Sequence, residues 1–174
     1  ISCRVEDEIF WRHNGSNFHA SYTCSPVIDN GIIKGAVVIF SDITERKKAE
    51  ERLNYLANYD VGTGLPNRNL FNDYMGALEE VQLIDSSICI YILDLDNIKA
   101  INDTLGHKYG DLLIQAIAER LKSAVQRDDY LARFGGDEFI IKHIAHDHQA
   151  AINYAEYLLE QIQAPLIIDD QELI

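Results

Sequence analysis

The sequence has no apolar stretch long enough to cross a bilayer, and no signal peptide opens it. Basic residues are scarce, because 15 Lys and Arg stand against 28 Asp and Glu, a formal net charge of −13. Nucleic acid and anionic membranes repel such a field, so we expect no nucleic-acid partner and no direct membrane contact from this segment. A longer parent protein that is attached to a membrane is compatible with this charge. A nucleotide substrate is also compatible with it, since a phosphate site needs only local donors and a metal.

Cysteine is also sparse. Cys3, Cys24 and Cys89 are an odd number without CxxC spacing, and Cys89 lies in an apolar run typical of the core. This usage indicates a reducing, cytoplasmic setting. The histidines lack zinc-site spacing and are interpreted as surface residues, except His107, which is interpreted as structural.

What the sequence does contain is an ordinary globular composition, 47% hydrophobic and 25% charged. Residues 18–25 and 32–40 have the pattern of strands, and Asp29-Asn30-Gly31 between them is a turn signal. These features predict an antiparallel hairpin. Because a hairpin is marginal alone in water, we expect further structure upstream of Ile1.

Residues 44–58 are dense in charge and helix formers, with Asp42 or Thr44 as the cap. Ala49, Leu53 and Leu56 form a narrow apolar seam with coiled-coil spacing. The segment is therefore predicted to be a signalling linker helix, and an ordinary packed helix is the alternative.

Strands and helices alternate in the remaining sequence. An unbroken apolar run at 87–93 predicts a strand buried on both faces. An amphipathic helix is predicted at 112–125, with Leu113, Ala116, Ile117, Leu121 and Ala124 inward. The other predicted elements are helices at 69–80 and 148–163, strands at 130–134 and 139–144 around Gly135-Gly136, and a last hairpin turning at Asp169-Asp170. This order predicts an α/β (α+β) fold with a mixed sheet.

Two acidic positions suggest a metal site. Asp94 ends the 87–93 strand, where α/β sheets place ligands, and Asp137 and Glu138 follow the Gly-Gly turn. If the hairpin pairs beside that strand, Asp94 and Asp137 converge and repel unless a cation lies between them. Oxygen-only ligands of this kind suit Mg²⁺. Taken singly, each feature is more often only a turn or a helix cap.

Asn102 and Asp111 flank a predicted loop that contains Gly106 and Gly110. Both side chains are suited to reading a base edge. A carboxylate that accepts from guanine N–H donors discriminates sharply, because the wrong base leaves it desolvated and unpaired.

Residues 135–139 read Gly-Gly-Asp-Glu-Phe, and residues 60–68 fit the pattern D-x-x-T-G-L-x-N-R. Between them stand Asp94-Leu95-Asp96, Lys99, Ile101-Asn102-Asp103, Gly106-His107 and Gly110-Asp111. These segments resemble, at the expected spacings, the name-giving motif, the opening motif and the central motif of the GGDEF diguanylate cyclase family. The resemblance covers the sequence from about Tyr59 onward, and its linked motifs argue strongly against a chance match.

The resemblance implies an enzyme that joins two GTP molecules into cyclic di-GMP and releases pyrophosphate. It implies that Mg²⁺ or Mn²⁺, as a pair of ions, is bound by Asp94, the Leu95 carbonyl and Asp137. Glu138 would bind metal or help deprotonate the attacking 3′-hydroxyl. Asn102 and Asp111 would hold guanine, and Lys99 would meet the phosphates. Each domain would hold one GTP, so catalysis would need a homodimer.

Residues 1–43 resemble the C-terminal part of a PAS sensor domain, with Asp42-Ile43-Thr44-Glu45-Arg46 as its exit motif. The expected organisation is thus a partial PAS domain at 1–43, the linker helix at 44–58 and a GGDEF domain at 59–174. The GGDEF domain is expected to be incomplete at its C-terminal end, so this chain itself is expected to have impaired turnover. The final residues resemble members that continue into an EAL phosphodiesterase domain.

Three positions depart from the family pattern. Gly62 replaces a usual Leu, Asn97 replaces a hydrophobic residue, and Gln126 stands where the inhibitory product site has Arg in an Arg-x-x-Asp motif that ends at Asp129. The last change predicts weak or absent product inhibition, with Arg127 as a partial substitute. Two other functions stay open. One is a GTP-binding regulatory module for an attached EAL domain, and the other is a dimerising interaction domain.

Overall fold

The structure is a computed structural model and describes residues 2–78, 86–168 and 171–172. The chain divides into two compact units, residues 1–55 (unit 1) and 56–174 (unit 2). The division falls inside a helix, α1, which runs from Thr44 to Asn58.

Unit 1 contains the strands β1 (Cys3–Trp11), β2 (Asn17–Asp29) and β3 (Ile32–Asp42). They form an antiparallel sheet in the order β1-β2-β3. Between β2 and β3, Asn30 and Gly31 both have positive φ, 48° and 78°. Two positive φ values are the mark of a type I′ turn, whose twist matches that of the flanking strands. The predicted hairpin is therefore confirmed.

Helix α1 has the predicted bounds. The Asp42 carboxylate accepts a 3.0 Å hydrogen bond from the Thr44 N–H, so it satisfies one of the free amides of the first turn. Hydrogen bonds from Thr44 and the nearby Arg12 guanidinium lower the pKa of Asp42. No residue of α1 is buried, and Leu53 and Leu56 are 67% and 42% exposed. The apolar seam thus faces solvent.

Unit 2 has α+β architecture. Its elements are α2 (Arg68–Leu78), β4 (Ser87–Asp94), α3 (Ile98–Leu105), α4 (His107–Ala124), β5 (Tyr130–Gly135), β6 (Glu138–Ala145), α5 (His148–Gln163), β7 (Ile167–Ile168) and β8 (Gln171–Glu172). The main sheet has the order β4-β6-β5 with both described pairings antiparallel, and β7 and β8 form a second, two-stranded sheet. The predicted end of α2 at residue 80 and the turn at 169–170 lie outside the described residues.

Helices cover both faces of this sheet. Phe139 and Ile141 of β6 pack into the same cluster as Ile117 and Leu121 of α4 and Leu158 of α5. The alternate β6 residue Ile140 packs with Ala132 of β5 and Phe71 of α2 on the other face. Because successive strand side chains point to opposite faces, β6 is the buried centre of the unit and fixes the hairpin that leads into it.

Two predictions about these elements are wrong. Strand β4 is not buried on both faces, because Ile90 and Ile92, which lie on the same face, are 42% and 70% exposed. The segment from Asn102 to Asp111 is not a loop, since α3 and α4 are separated only by Gly106, whose φ is 93°. Helix α4 therefore begins at His107, and Gly110 lies inside it.

The inner face of α4 is also wider than predicted. Leu113, Ile117, Leu121 and Ala124 are buried as expected, while Ala116 is only partly buried. The face additionally includes two neighbouring residues, Ile114 and Ala118.

Candidate active site

The β4–β6 register brings the predicted metal ligands together. Asp94 is paired with Glu138 at the end of the ladder, and the Leu95 N–H donates to the Asp137 carbonyl at 3.3 Å. Gly136 and Asp137 form the two-residue turn between β5 and β6, in which Gly136 has a φ of 56°. The sharp turn thus presents Asp137 beside the carboxyl end of β4.

Asp94, Leu95 and Asp137 line one open cavity of about 470 Å³. Its lining includes four aspartates and one cation, Lys99. The full lining is Asp94, Leu95, Asp96, Asn97, Ile98, Lys99, Ala100, Asp103 and Asp137. An excess of carboxylates around one cavity favours a bound cation, since neighbouring anionic groups otherwise destabilise each other's charged form.

The donor set fits one type of metal site. Among the described residues, no group of three or more His, Cys, Asp or Glu side chains is placed to hold an ion. Asp94, Asp137 and the Leu95 carbonyl therefore do not form an all-protein cage. Mg²⁺ normally uses one or two carboxylates, keeps waters and shares its shell with substrate phosphates, so these residues fit it.

Glu138 has a different partner. Its carboxylate lies 3.7 Å from the Arg68 guanidinium, which itself lies 4.8 Å above the ring of Phe134. Glu138 is not among the residues that line the cavity. The side chains of Glu138 and Arg68 are both substantially exposed, so the ion pair is weak and leaves Glu138 able to turn towards a ligand.

Asn102 and Asp111 lie on separate helices. Asn102 belongs to α3 and packs against Gly110 of α4, where a Cβ added to the glycine would stand 2.1 Å from the Asn102 Oδ1. That oxygen is buried and has no hydrogen-bond partner in the part of the chain that the structure describes. Asp111 follows Gly110 directly and is exposed. The glycine thus permits a helix contact that no other residue would allow.

Sequence reasoning missed Arg133 as a residue that shapes the site. Its guanidinium donates to the Asp60 carboxylate at 2.8 Å and to the Gly136 carbonyl at 2.6 Å and 3.2 Å. Asp60 also accepts from the Thr63 N–H and hydroxyl at 2.9 Å and 2.7 Å. Arg133 therefore ties the opening motif to the turn that carries Asp137. The only available signal was its position two residues before Gly135.

The pKa of Asp60 reflects this network. Burial alone raises the pKa, but the hydrogen bonds from Thr63 and Arg133 and the charge of Arg133 outweigh burial and lower it. The ionised carboxylate is thus the form that the folded chain stabilises.

Asp129 is held inside the protein. Its side chain is 2% exposed, and it accepts from the Gln126 N–H at 2.8 Å and from the Tyr154 hydroxyl. His143 Nδ1 lies 2.7 Å from the same carboxylate, and the His143 ring stacks on Tyr154. Burial and the nearby Asp129 raise the pKa of Tyr154. The interpretation of His143 as a surface residue is therefore wrong, because it is buried and bonded to an acid.

Comparison with known proteins agrees with the motifs. Residues 57–174 match the family described as "Diguanylate cyclase, GGDEF domain". The chain belongs to the GGDEF family. No helix in the described ranges combines the length and apolarity that a membrane span requires.

A solved relative of this GGDEF domain is a sensory box/GGDEF family protein from Caulobacter crescentus CB15. It is 42% identical, with a TM-score of 0.61 over 67% of this chain and 77% of that one.

Two curated relatives come from Pseudomonas aeruginosa. The cyclic di-GMP phosphodiesterase NbdA is 38% identical over 72% of the chain and 16% of its own length.

The bifunctional diguanylate cyclase/cyclic di-GMP phosphodiesterase MucR is 37% identical over 75% of the chain and 19% of its own length. The chain therefore spans a fifth or less of these curated relatives.

Proposed function

We propose that this GGDEF domain condenses two GTP molecules into cyclic di-GMP and two pyrophosphates. The observation that carries the proposal is that Asp94, Leu95 and Asp137 line one cavity together with Lys99. Two GTP molecules must be used per product, so the working enzyme is a homodimer with one GTP in each copy.

In the proposed reaction, the 3′-oxygen of one GTP attacks the α-phosphorus of the other, the bond between that phosphorus and the oxygen bridging to the β-phosphate breaks, and pyrophosphate leaves. Asp94, Asp137 and the Leu95 carbonyl would hold a pair of Mg²⁺ or Mn²⁺ ions, which would supply neutralisation of the phosphate charge. Lys99 meets the phosphates. Glu138 turns from Arg68 to accept the 3′-hydroxyl proton or to bind metal. Asn102 and Asp111 select guanine.

Residues 1–58 control the catalytic domain. Residues 1–43 act as the end of a PAS sensor, and α1 transmits its state to the catalytic domain. The setting is cytoplasmic.

A second function is supported by the similarity to NbdA, which is named as a phosphodiesterase. In this alternative the GTP site is a regulatory module for an attached EAL domain. The two functions share GTP binding and differ in whether product is formed.

The test is incubation of the chain with GTP and Mg²⁺, followed by chromatography for cyclic di-GMP and pyrophosphate. The cyclase function predicts slow formation of product by the parent chain and none by a double variant, Asp137→Ala with Glu138→Ala. Asp73→Ala, which removes an exposed carboxylate of α2, is the control and keeps the activity. Tight, guanine-selective binding by a dimeric parent that forms no product would support the regulatory module instead.

A further inference from the structure

Cys3 and Cys24 face each other across the first two strands of unit 1. They are direct partners in the antiparallel register of β1 and β2. Residues in such positions share one face of the sheet, with Cα atoms about 4.5–5.5 Å apart and Cβ atoms at a similar separation. A disulfide requires Cα atoms about 4.4–6.8 Å apart and Cβ atoms about 3.5–4.5 Å apart. The backbone is therefore already within bonding range, and the Cβ atoms need only a small approach.

The two thiols differ in accessibility. Cys3 is exposed, whereas Cys24 is half-buried. A dissolved oxidant therefore meets Cys3 first, and Cys24 lies in position to react with the product. The third cysteine, Cys89, belongs to β4 of unit 2 and has the Ser87 carbonyl 4.0 Å from its sulfur.

We propose that Cys3 and Cys24 form a reversible oxidative modification site whose co-reactant is a low-molecular-weight disulfide such as oxidised glutathione. The Cys3 thiolate attacks one glutathione sulfur, forms a mixed disulfide and expels one glutathione thiolate. The Cys24 thiolate then attacks the Cys3 sulfur and expels the second. The two cysteines are oxidised, the glutathione disulfide is reduced to two thiols, and the two cysteine protons pass to the departing thiolates.

The geometry makes this bond reversible. Pulling the two Cβ atoms together strains the ladder, and strained disulfides are reduced more readily than relaxed ones. In a reducing compartment a bond of this kind forms transiently, as redox-sensing disulfides do. It therefore suits a switch better than a permanent cross-link.

The bond would act on the least supported part of β1. This strand lies at the edge of its sheet, and a register shift separates the pairs at 3–5 from those at 8–11. Only three ladder pairs hold the first segment among the described residues. A covalent link at Cys3 would fix that segment to β2, while reduction would release it.

The experiment exposes the 174-residue chain to oxidised glutathione under native conditions and then counts thiols in denaturant. We expect the number of free thiols to fall from three to one, and peptide mapping to find a bond between Cys3 and Cys24. Excess reduced glutathione should restore all three. The variant Cys89→Ser should oxidise at the same rate, and Cys24→Ser should stop at a mixed disulfide on Cys3.

A parallel oxidation in denaturant separates strand register from chain proximity. In an unfolded chain, loop-closure entropy alone favours Cys3–Cys24 over Cys24–Cys89 by about fivefold. The native chain should form the Cys3–Cys24 bond at least tenfold faster than the denatured chain. Survival of all three thiols, a bond that includes Cys89, or equal native and denatured rates would overturn the proposal.

Discussion

Gly110 lies inside a helix at a position where replacing glycine by alanine is not expected to stabilise the protein. Glycine costs a helix interior about 1 kcal/mol relative to alanine. Here, however, an added Cβ would overlap the Asn102 amide, at 2.1 Å from its oxygen. Glycine therefore lowers the stability of α4 but permits close contact between α3 and α4, the two helices that carry the proposed guanine ligands.

The Gly110→Ala variant tests this interpretation. We expect the added methyl group to overpack the contact, to lower the free energy of unfolding by about 1–3 kcal/mol and to displace Asn102. The ratio of affinities for GTP and for ITP, which lacks the 2-amino group, should fall by up to about tenfold. Titration calorimetry measures both. Gly76→Ala in α2 is the control, because its Cβ would meet nothing within 4 Å. An unchanged ratio would contradict a role for Gly110 in selectivity.

Asp60 makes a pH prediction. Since its pKa is lower in the folded chain than the ordinary value of 3.8, its stabilising effect is complete above that value and is lost as the pH falls through the folded pKa. We expect Asp60→Asn to lower the free energy of unfolding by about 1–2 kcal/mol at pH 7. The difference between variant and parent should shrink as the pH falls below about 4.

Urea unfolding at several pH values measures these differences. Asp73→Asn removes an exposed carboxylate and serves as the control. A gap between Asp60→Asn and the parent that stays constant as the pH falls to about 3 would show that the Arg133 contact contributes nothing through ionisation.

Among the helices and strands, the sequence predicted correctly those elements whose structure depends on neighbouring residues alone. The type I′ turn at Asn30-Gly31 and the capped helix α1 follow from turn and cap chemistry and are found with the predicted bounds. The 87–93 run shows the limit of such signals. Its apolar residues predict a strand, but which sides of that strand have neighbours depends on tertiary contacts.

Helices α3 and α4 show the same limit at the site. Two glycines predicted a loop, because Gly110 is typical of a helix breaker when its contact with Asn102 is unknown. The convergence of Asp94 and Asp137 was predictable only conditionally, since it depends on the hairpin pairing beside β4. The link from Asp60 through Arg133 joins residues 73 positions apart and has no local signature.

The exposed seam of α1 predicts self-association through this helix. Leu53 is 67% exposed, so its replacement should leave the free energy of unfolding within about 0.5 kcal/mol of the parent. We expect Leu53→Gln to weaken dimerisation in sedimentation equilibrium, while the control Glu51→Gln leaves it unchanged. Equal dimerisation by parent and Leu53→Gln would place the dimer contact elsewhere.

The buried Asp129 bears on whether the whole molecule is inhibited by its product. Gln126 occupies the position where the family's inhibitory site has an arginine, and the Asp129 carboxylate is already hydrogen-bonded to His143 and Tyr154. We expect no binding of cyclic di-GMP at this position, and none after Gln126→Arg alone. Calorimetric titration with cyclic di-GMP checks both. Binding by Gln126→Arg would show that Asp129 is released more easily than its contacts imply.

The acidic cavity is also the feature on which the proposed function depends. In a chain with a formal net charge of −13, a triphosphate binds only if cations and local donors offset the repulsion. Asp94 and Asp137 should therefore bind GTP only together with a divalent ion.

Calorimetric titration of GTP with and without Mg²⁺ tests this most directly. The proteins compared are the parent, Asp137→Asn and the control Asp73→Asn. We expect Mg²⁺ to tighten GTP binding at least tenfold in the parent and the control, and Asp137→Asn to lose this dependence. An Asp137→Asn variant with the parent's Mg²⁺ dependence would contradict the assignment of the metal site.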